Sequence, residues 1–330
     1  MSNTISIAGK TAPRLGLGTW AIGGPFYAGE QPLGWGAVDD AVSKRAIEAG
    51  LEAGIRLFDT ADVYGAGHAE NLLGSIVGNR DDVIISTKFG NVFDAETKQL
   101  TGHSTEPEYI RQAIDASRMR LKRDRLDLVF LHLNQLDEPH EERIFDTLDE
   151  LVDAGKVATY GWSTDYPENA AYVAGRKHSV AIQNAMNIFI PATKVRAAAG
   201  QLLCFNRGPL AMGLLIDAIL DGTKQITEGD IRSKSPDWMK YFDDGKPAPE
   251  LLERLRSVAE ILKVGRSTLV EGALAYILGK ADNTVPIPGF RTPEQVSDLV
   301  AVLQSGPMSE SDIAAIEALL PPEDAEIKDR

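Results

Sequence analysis

The feature that most constrains this chain is a rhythm. Short apolar runs of strand length alternate with longer segments of helical period, from near the N-terminus to beyond residue 300. The strands read as Arg14–Thr19, Arg56–Asp59, Val83–Lys88, Leu126–Leu131, Thr159–Ser163, Val180–Gln183, Gln201–Phe205 and Val285–Ile287. Between and after them, Ser43–Ala53, Glu70–Val77, Glu108–Leu121, Glu141–Ala154, Pro167–Arg176, Leu251–Leu262, Thr268–Leu278 and Pro293–Leu303 read as helices. The first gathers Ala46, Ile47, Gly50 and Leu51 on one face behind Ser43 as N-cap. Glu141–Ala154 does the same with Ile144, Leu148 and Leu151, and Gly155 closes it.

Strands that alternate with helices predict a parallel sheet with right-handed crossovers. A closed (β/α)8 barrel and an open doubly wound sheet both satisfy the alternation. Strand count and length favour the barrel, which accommodates ~250 residues or more in one domain. With 43% hydrophobic residues the chain has enough apolar material for so large a core. No Pro/Gly/Ser-rich linker interrupts it, so residues 1–330 read as a single domain. The end from residue 316, above all Pro321–Arg330, reads as a tail. One segment breaks the rhythm: Asp221–Glu250, polar and rich in Gly and Pro, forms a long excursion after the seventh strand. Loops of that length in a compact domain are commonly functional.

The net charge of -14 repels phosphate backbones and argues against a nucleic-acid partner. Any phosphate-bearing ligand must then be held by a local cluster of cations or amides. Cys204 is the only cysteine, so no internal disulfide is expected. The first twenty residues lack a secretory signal, and no apolar run reaches the ~20 residues of a membrane span. A cytoplasmic protein without a membrane partner is expected; oligomeric state is not legible.

Reactive side chains of a barrel stand at or just beyond the C-terminal ends of its strands. The second strand ends in Asp59, with Tyr64 in the following loop; the third ends in Lys88; the fourth runs to His132; the fifth and sixth end in Ser163 and Gln183. A phenol of pKa ~10 is a poor proton donor near neutrality. An ammonium beside it stabilises the phenolate, a carboxylate keeps that ammonium charged, and an imidazole can hold the substrate oxygen. This is equipment for protonating a carbonyl oxygen while hydride arrives at carbon. Each residue alone could be structural; together, at successive strand ends, they point to a site. GAGHAE at Gly65–Glu70 lacks the third glycine and the tight strand-to-helix turn of a dinucleotide fingerprint. GWSTD at Gly161–Asp165 lacks the second glycine of a nucleophile elbow. The five histidines form no H-x-H or H-E-x-x-H pattern, so no metal is expected.

At these residues the sequence resembles the aldo-keto reductase superfamily, in particular its bacterial branch of general-stress-type reductases. GLGTW (Gly16–Trp20), GIRLFDTADVYGAGHAENLLG (Gly54–Gly74), IISTKFG (Ile84–Gly90), DLVFLHL (Asp127–Leu133), GKVATYGWST (Gly155–Thr164), PLAMGLL (Pro209–Leu215) and PIPGFRTPEQV (Pro286–Val296) carry the likeness in the right order. The resemblance implies a (β/α)8 TIM barrel that binds a nicotinamide cofactor in extended form, with neither metal nor Rossmann fold. It implies Asp59, Tyr64, Lys88 and His132 as catalytic tetrad. Ser163, Thr164 and Gln183 would hold the nicotinamide carboxamide, with Asp59 and the backbone of Gly18, Thr19 and Trp20 nearby. Arg207 would take the place of a stacking aromatic, and Pro209, Leu210, Gly213 and Leu214 would hold the pyrophosphate. Gly289, Arg291, Thr292, Gln295 and Asp298 would surround the adenosine. Trp20, Phe26, Trp35, Tyr64 and His132 would face substrate.

Three departures stand out: Thr164 where the family commonly has Asn, Arg207 for an aromatic, and Leu299 for an Asn. Arg291 favours the 2′-phosphate of NADP(H). Gly289, where many relatives carry lysine, leaves NAD(H) usable. The expected activity is reduction of small-molecule aldehydes or ketones to alcohols, or the reverse oxidation of an alcohol or sugar. A cofactor-binding regulatory barrel without turnover is the reading from another class.

Overall fold

The computed structural model describes residues 3–136, 140–227, 229–234 and 239–320. Eight parallel strands form one sheet: β1 (Leu17–Gly18), β2 (Leu57–Asp59), β3 (Ile84–Phe89), β4 (Leu126–Leu131), β5 (Val157–Ser163), β6 (Ser179–Ala185), β7 (Leu203–Arg207) and β8 (Thr284–Pro286). They are paired in chain order. The sheet closes where Gly16 N–H donates to Pro286 O (3.0 Å) and Gly18 N–H to Pro288 O (2.9 Å). Gly18 also pairs in parallel with Gly289. The closed barrel is therefore the outcome, and the open sheet falls away.

The apolar runs form strands because both faces are covered. Leu57, Ile84, Leu128, Phe130, Ala181, Phe205 and Val285 form an inner core, where Phe130 meets Phe205 edge-on at 5.6 Å. The alternate residues, among them Phe58, Ile85, Val129, Tyr160, Trp162 and Ile182, belong to the larger core shared with the helices.

The helices are α1 (Asp40–Glu52), α2 (His68–Val77), α3 (Pro107–Leu121), α4 (Glu141–Asp153), α5 (Pro167–Ala174), α6 (Thr193–Ala199), α7 (Pro249–Leu262), α8 (Leu269–Lys280), α9 (Pro293–Val300) and α10 (Glu310–Leu319). Proline opens α3, α5, α7 and α9, where its missing N–H is harmless. None of the helices among the described residues is long and apolar enough to cross a membrane.

Several sequence expectations are corrected. α1 begins three residues before Ser43, because Asp39 accepts from Ala41 N (2.8 Å) and Val42 N (3.2 Å) and is the cap. The first expected strand, Arg14–Thr19, shrinks to Leu17–Gly18. Upstream of it, Thr4–Ile7 and Lys10–Pro13 pair as an antiparallel hairpin that plugs the barrel floor with Ile5, Ile7 and Ala12. The tail does not begin at residue 316: α10, capped by Ser309, runs through it and buries Ile313 and Ile316. The expected tail Pro321–Arg330 lies outside the described residues. The hairpin Asn91–Asp94/Gln99–His103 joins Tyr27–Ala28 and Gln31–Pro32 in a four-stranded accessory sheet above β1 and β3. A short helix (Asp217–Leu220) leads into the excursion after β7, which holds a 3-10 turn (Ile231–Lys234) and a small hairpin (Phe242–Asp243/Lys246–Pro247).

Candidate active site

Asp59, Lys88 and His132 stand at or just past the ends of β2, β3 and β4, and the turn after β2 brings Tyr64 over them. That turn depends on Gly65, whose φ is +62°; a Cβ there would stand 1.8 Å from Gly23 O. Lys88 Nζ donates to Asp59 Oδ2 (2.7 Å), to Thr60 O (2.6 Å) and to the Tyr64 hydroxyl (3.2 Å). It also lies 4.8 Å from the Tyr64 ring centre. Asp59 is buried and fully engaged: its other oxygen accepts from Ser86 Oγ (2.7 Å) and Gln183 Nε2 (3.0 Å). Burial opposes the charge on Lys88, but facing Asp59 and the Tyr64 hydroxyl more than offsets it. The ammonium is held above the usual lysine range and stays protonated. His132, also buried, meets the Tyr64 ring edge-on at 6.0 Å, and its backbone is tied to Phe89 O (2.7 Å) and Asn91 Nδ2 (3.1 Å). The four residues expected as a tetrad converge.

Behind them lies a polar cluster that the sequence analysis did not single out. Glu70, fully buried on α2, accepts from Thr87 Oγ1 (2.5 Å) and Arg120 Nε (2.6 Å). This fixes β3 between Ser86 and Lys88. Asp62, two residues before Tyr64, is buried with Oδ1 unpartnered. Burial, and then the charge of Glu70, push its carboxyl well above the usual range. The acid–x–Tyr spacing and the acid at the start of α2 were visible signals for both.

Trp20 and Trp35 stand beside Tyr64. Trp20 stacks on Tyr64 (6.1 Å, 23°), meets Trp35 edge-on (5.6 Å), and donates through Nε1 to Leu33 O (3.0 Å). Phe26 does not join them. It is 4% exposed and packs with Val63, Ala66 and Phe93 under the accessory sheet.

The residues expected around a nicotinamide cofactor divide into three groups. Thr19 Oγ1 is buried without a partner beside Asp59, and Ser163 and Gln183 are at neighbouring strand ends; these fit a polar guest. The Thr164 hydroxyl is engaged within the protein: it donates to Asn134 O (2.7 Å) and accepts from Tyr166 N (3.1 Å). Arg207 is ion-paired with Asp165. In the turn after β7, Ala211, Met212 and Gly213 all have positive φ, a costly run for two non-glycine residues. The amides of Gly213 and Leu214 donate within that turn, to Leu210 O (2.9 Å) and Ala211 O (3.0 Å). At the far end Thr292 caps α9, and Gln295 Oε1 accepts from Arg291 N (2.8 Å). The Arg291 guanidinium donates to Trp35 O (2.9 Å) and Ala37 O (2.5 Å), tying the loop after β1 to the start of α9. Burial and the neighbouring Asp217 raise the Asp298 carboxyl. The unpartnered buried hydroxyl of Thr19 and the left-handed backbone of the turn after β7 fit a polar guest at this rim. Among the described residues, no cluster of His, Cys, Asp and Glu is arranged to hold a metal.

Comparison with known proteins agrees with this architecture. The aldo/keto reductase family model matches residues 14–321. An aldo-keto reductase from Schizosaccharomyces pombe, named for NADP(+), is 26% identical, with 91% of this chain and 86% of its own length aligned. An NADH-specific methylglyoxal reductase from Escherichia coli is 28% identical, over 89% and 90%. Among solved structures, a glycerol dehydrogenase from Gluconobacter oxydans superposes with a TM-score of 0.76 at 27% identity, covering 96% of this chain and 94% of that one.

Proposed function

Since the chain belongs to the aldo/keto reductase family, we propose that it is an NAD(P)(H)-dependent carbonyl reductase, acting as one domain on small aldehydes or ketones, with Tyr64 as proton donor. The observation that carries this reading is the buried train Asp59–Lys88–Tyr64, with contacts of 2.7 and 3.2 Å at the C-terminal rim of the barrel. A bound nicotinamide would supply the hydride. The chain's own part begins with the carbonyl oxygen, which accepts from the Tyr64 hydroxyl and from His132. As negative charge develops on that oxygen, the Tyr64 proton moves to it. The phenolate left behind is stabilised by the Lys88 ammonium, which Asp59 keeps charged. Asp59 is held by Lys88, Ser86 and Gln183, and its role is electrostatic.

Gly18, Thr19, Trp20, Ser163, Thr164 and Gln183 would surround the nicotinamide, Thr164 through its backbone. Arg207 would stand against the nicotinamide ring, Pro209, Leu210, Gly213 and Leu214 would lie along the pyrophosphate, and Gly289, Arg291, Thr292, Gln295 and Asp298 around the adenosine. NADP(H) is the proposed cofactor, with NAD(H) usable. Arg291 offers the cation a 2′-phosphate needs, and the relative from S. pombe is named for NADP(+). The NADH-specific relative and the hold of Arg291 on the loop after β1 keep the second cofactor open.

The test is consumption of NADPH, followed by absorbance, with a reactive aldehyde such as a nitrobenzaldehyde. Turnover by the wild type and its loss in Tyr64→Phe, with NADPH binding retained, is the expected result. Normal turnover by that variant would remove Tyr64 from the role. No turnover by the wild type with any carbonyl or alcohol would favour a regulatory barrel. The same residues catalyse the reverse oxidation, and the glycerol dehydrogenase relative supports testing it with polyols and NAD(P)+.

A further inference from the structure

Arg232 is a buried arginine of the excursion after β7, 7% exposed, and lies outside the tetrad and the cofactor segments. Its Nε and one terminal nitrogen grip both oxygens of buried Asp230 (2.9 and 2.7 Å), a fork-on-fork pair. The other terminal nitrogen donates to Met212 O (3.1 Å). The face of the guanidinium lies 4.6 Å from the Trp35 ring centre and 5.4 Å from that of Phe242. The excursion also touches the loop after β1 directly: Ile231 N–H donates to Gly34 O (3.1 Å), and Gln31 Nε2 to Lys234 O (3.2 Å).

One side chain therefore joins two parts of the site. Met212 belongs to the left-handed turn, and Gly213 beside it leaves only 2.9 Å between a would-be Cβ and the Arg232 terminal nitrogen. Trp35 begins an aromatic series that continues through Trp20 to Tyr64. A planar cation with directional N–H groups can serve both ends at once; a lysine, as a point charge, cannot. The Asp230 carboxylate neutralises it, so its use is geometric. Loss of the pair would let the wall at Trp35 and the turn at Met212 relax together.

We propose that Arg232 is a positioning residue that couples the width of the substrate pocket at Trp35 to the hold of the Met212 turn on the cofactor pyrophosphate. This rests on the functional reading above. The excursion then sets substrate size and cofactor retention through one residue, with bulky aromatic carbonyls the class most affected.

The test compares wild type with Arg232→Lys and with the double variant Asp230→Asn/Arg232→Met, which leaves no lone buried carboxylate. Hydrogen exchange of the unliganded proteins is read in segments 33–37 and 209–215. Both segments are expected to exchange faster in the double variant, with Arg232→Lys intermediate. In kinetics, KM for nitrobenzaldehyde should rise about tenfold and that for propanal less than about twofold, while the NADPH dissociation constant rises about fivefold. Faster exchange confined to the excursion, or equal KM changes for the two aldehydes, would overturn the proposal and make Arg232 merely structural. A wild type that neither binds NADPH nor turns over would instead overturn the functional reading, and the exchange data would still decide whether the two segments are coupled.

Discussion

The two ends of this barrel treat buried polar groups in opposite ways. At the floor, Arg14 donates to Leu278 O (3.0 Å), Ala281 O (2.5 Å), and both oxygens of Thr284 (3.1 and 2.9 Å). Lys10 is paired with Asp127 (2.7 Å) and donates to Val83 O (3.0 Å), while Asp127 accepts from Ile85 N (3.0 Å). At the rim, Thr19 and Thr60 hydroxyls and an Asp62 oxygen are buried without partners, and Ala211 and Met212 sit in left-handed backbone. A buried group left unpaired costs free energy comparable to a lost hydrogen bond. At the floor Arg14, Lys10 and Asp127 close their charges on the protein itself, as groups kept for stability do, and one strand-start hydroxyl, that of Ser179, is buried without a partner. The rim leaves some open to a guest, as the chemical end of such a barrel must.

This contrast can be broken. The largest effect should come from the rim: Tyr64→Phe is expected to lower turnover about 10²–10⁴-fold while leaving the thermal midpoint nearly unchanged. At the floor the outcome should invert. Arg14→Met strands several buried carbonyls and should cost about 3 kcal/mol in denaturant unfolding, with kcat/KM of the folded fraction intact. A large kinetic loss in Arg14→Met would mean that the two ends are not separable.

Smaller effects sharpen the picture. Arg291→Ala should weaken NADPH binding about tenfold more than NADH binding, since a phosphate contact is lost only for the former. An equal loss for both would assign Arg291 to the loop carbonyls of Trp35 and Ala37 alone. The last prediction concerns Asp62 and is read as a slope against pH. Its folded-state carboxyl titrates well above the unfolded one, because of burial first and Glu70 second. The folded protein therefore keeps a proton that the unfolded chain has released. Stability is full below the unfolded value of ~3.9 and declines as pH rises toward the folded value, by at most about 1.4 kcal/mol per pH unit. Asp62→Asn should flatten that decline in midpoints measured from pH 5 to 9; an unchanged slope would exclude Asp62 as its source.

What was legible in the sequence was whatever depends on local pattern. The run Leu126–Leu131 is a strand to the residue, and the strand-end positions of Asp59, Lys88 and His132 follow from counting along such runs. The floor hairpin has a sequence signal too: Ala8–Gly9 stands between alternating residues, and both take the positive φ of a two-residue turn. Tertiary choices were not. Nothing near Thr164 says that its hydroxyl turns to Asn134 O, and nothing near Arg291 says that Trp35 O lies within reach. Phe26 looks like a pocket aromatic until the accessory sheet buries it against Phe93. Arg232 is one cation in a polar stretch, and only the folded chain sets Asp230, Met212 and Trp35 around it.

The seam between β1 and β8 has a consequence for how the protein is made. Arg14 and Thr284, joined across the floor, are 270 residues apart in the chain. At about 5–20 residues per second, a ribosome would need roughly 15–50 s between delivering one and the other. Until then the strand edge at Leu17–Gly18 has no β8 to pair with. Whatever sheet the nascent chain forms before β8 is made cannot close, so its early strands keep an unpaired edge of the kind chaperones shield.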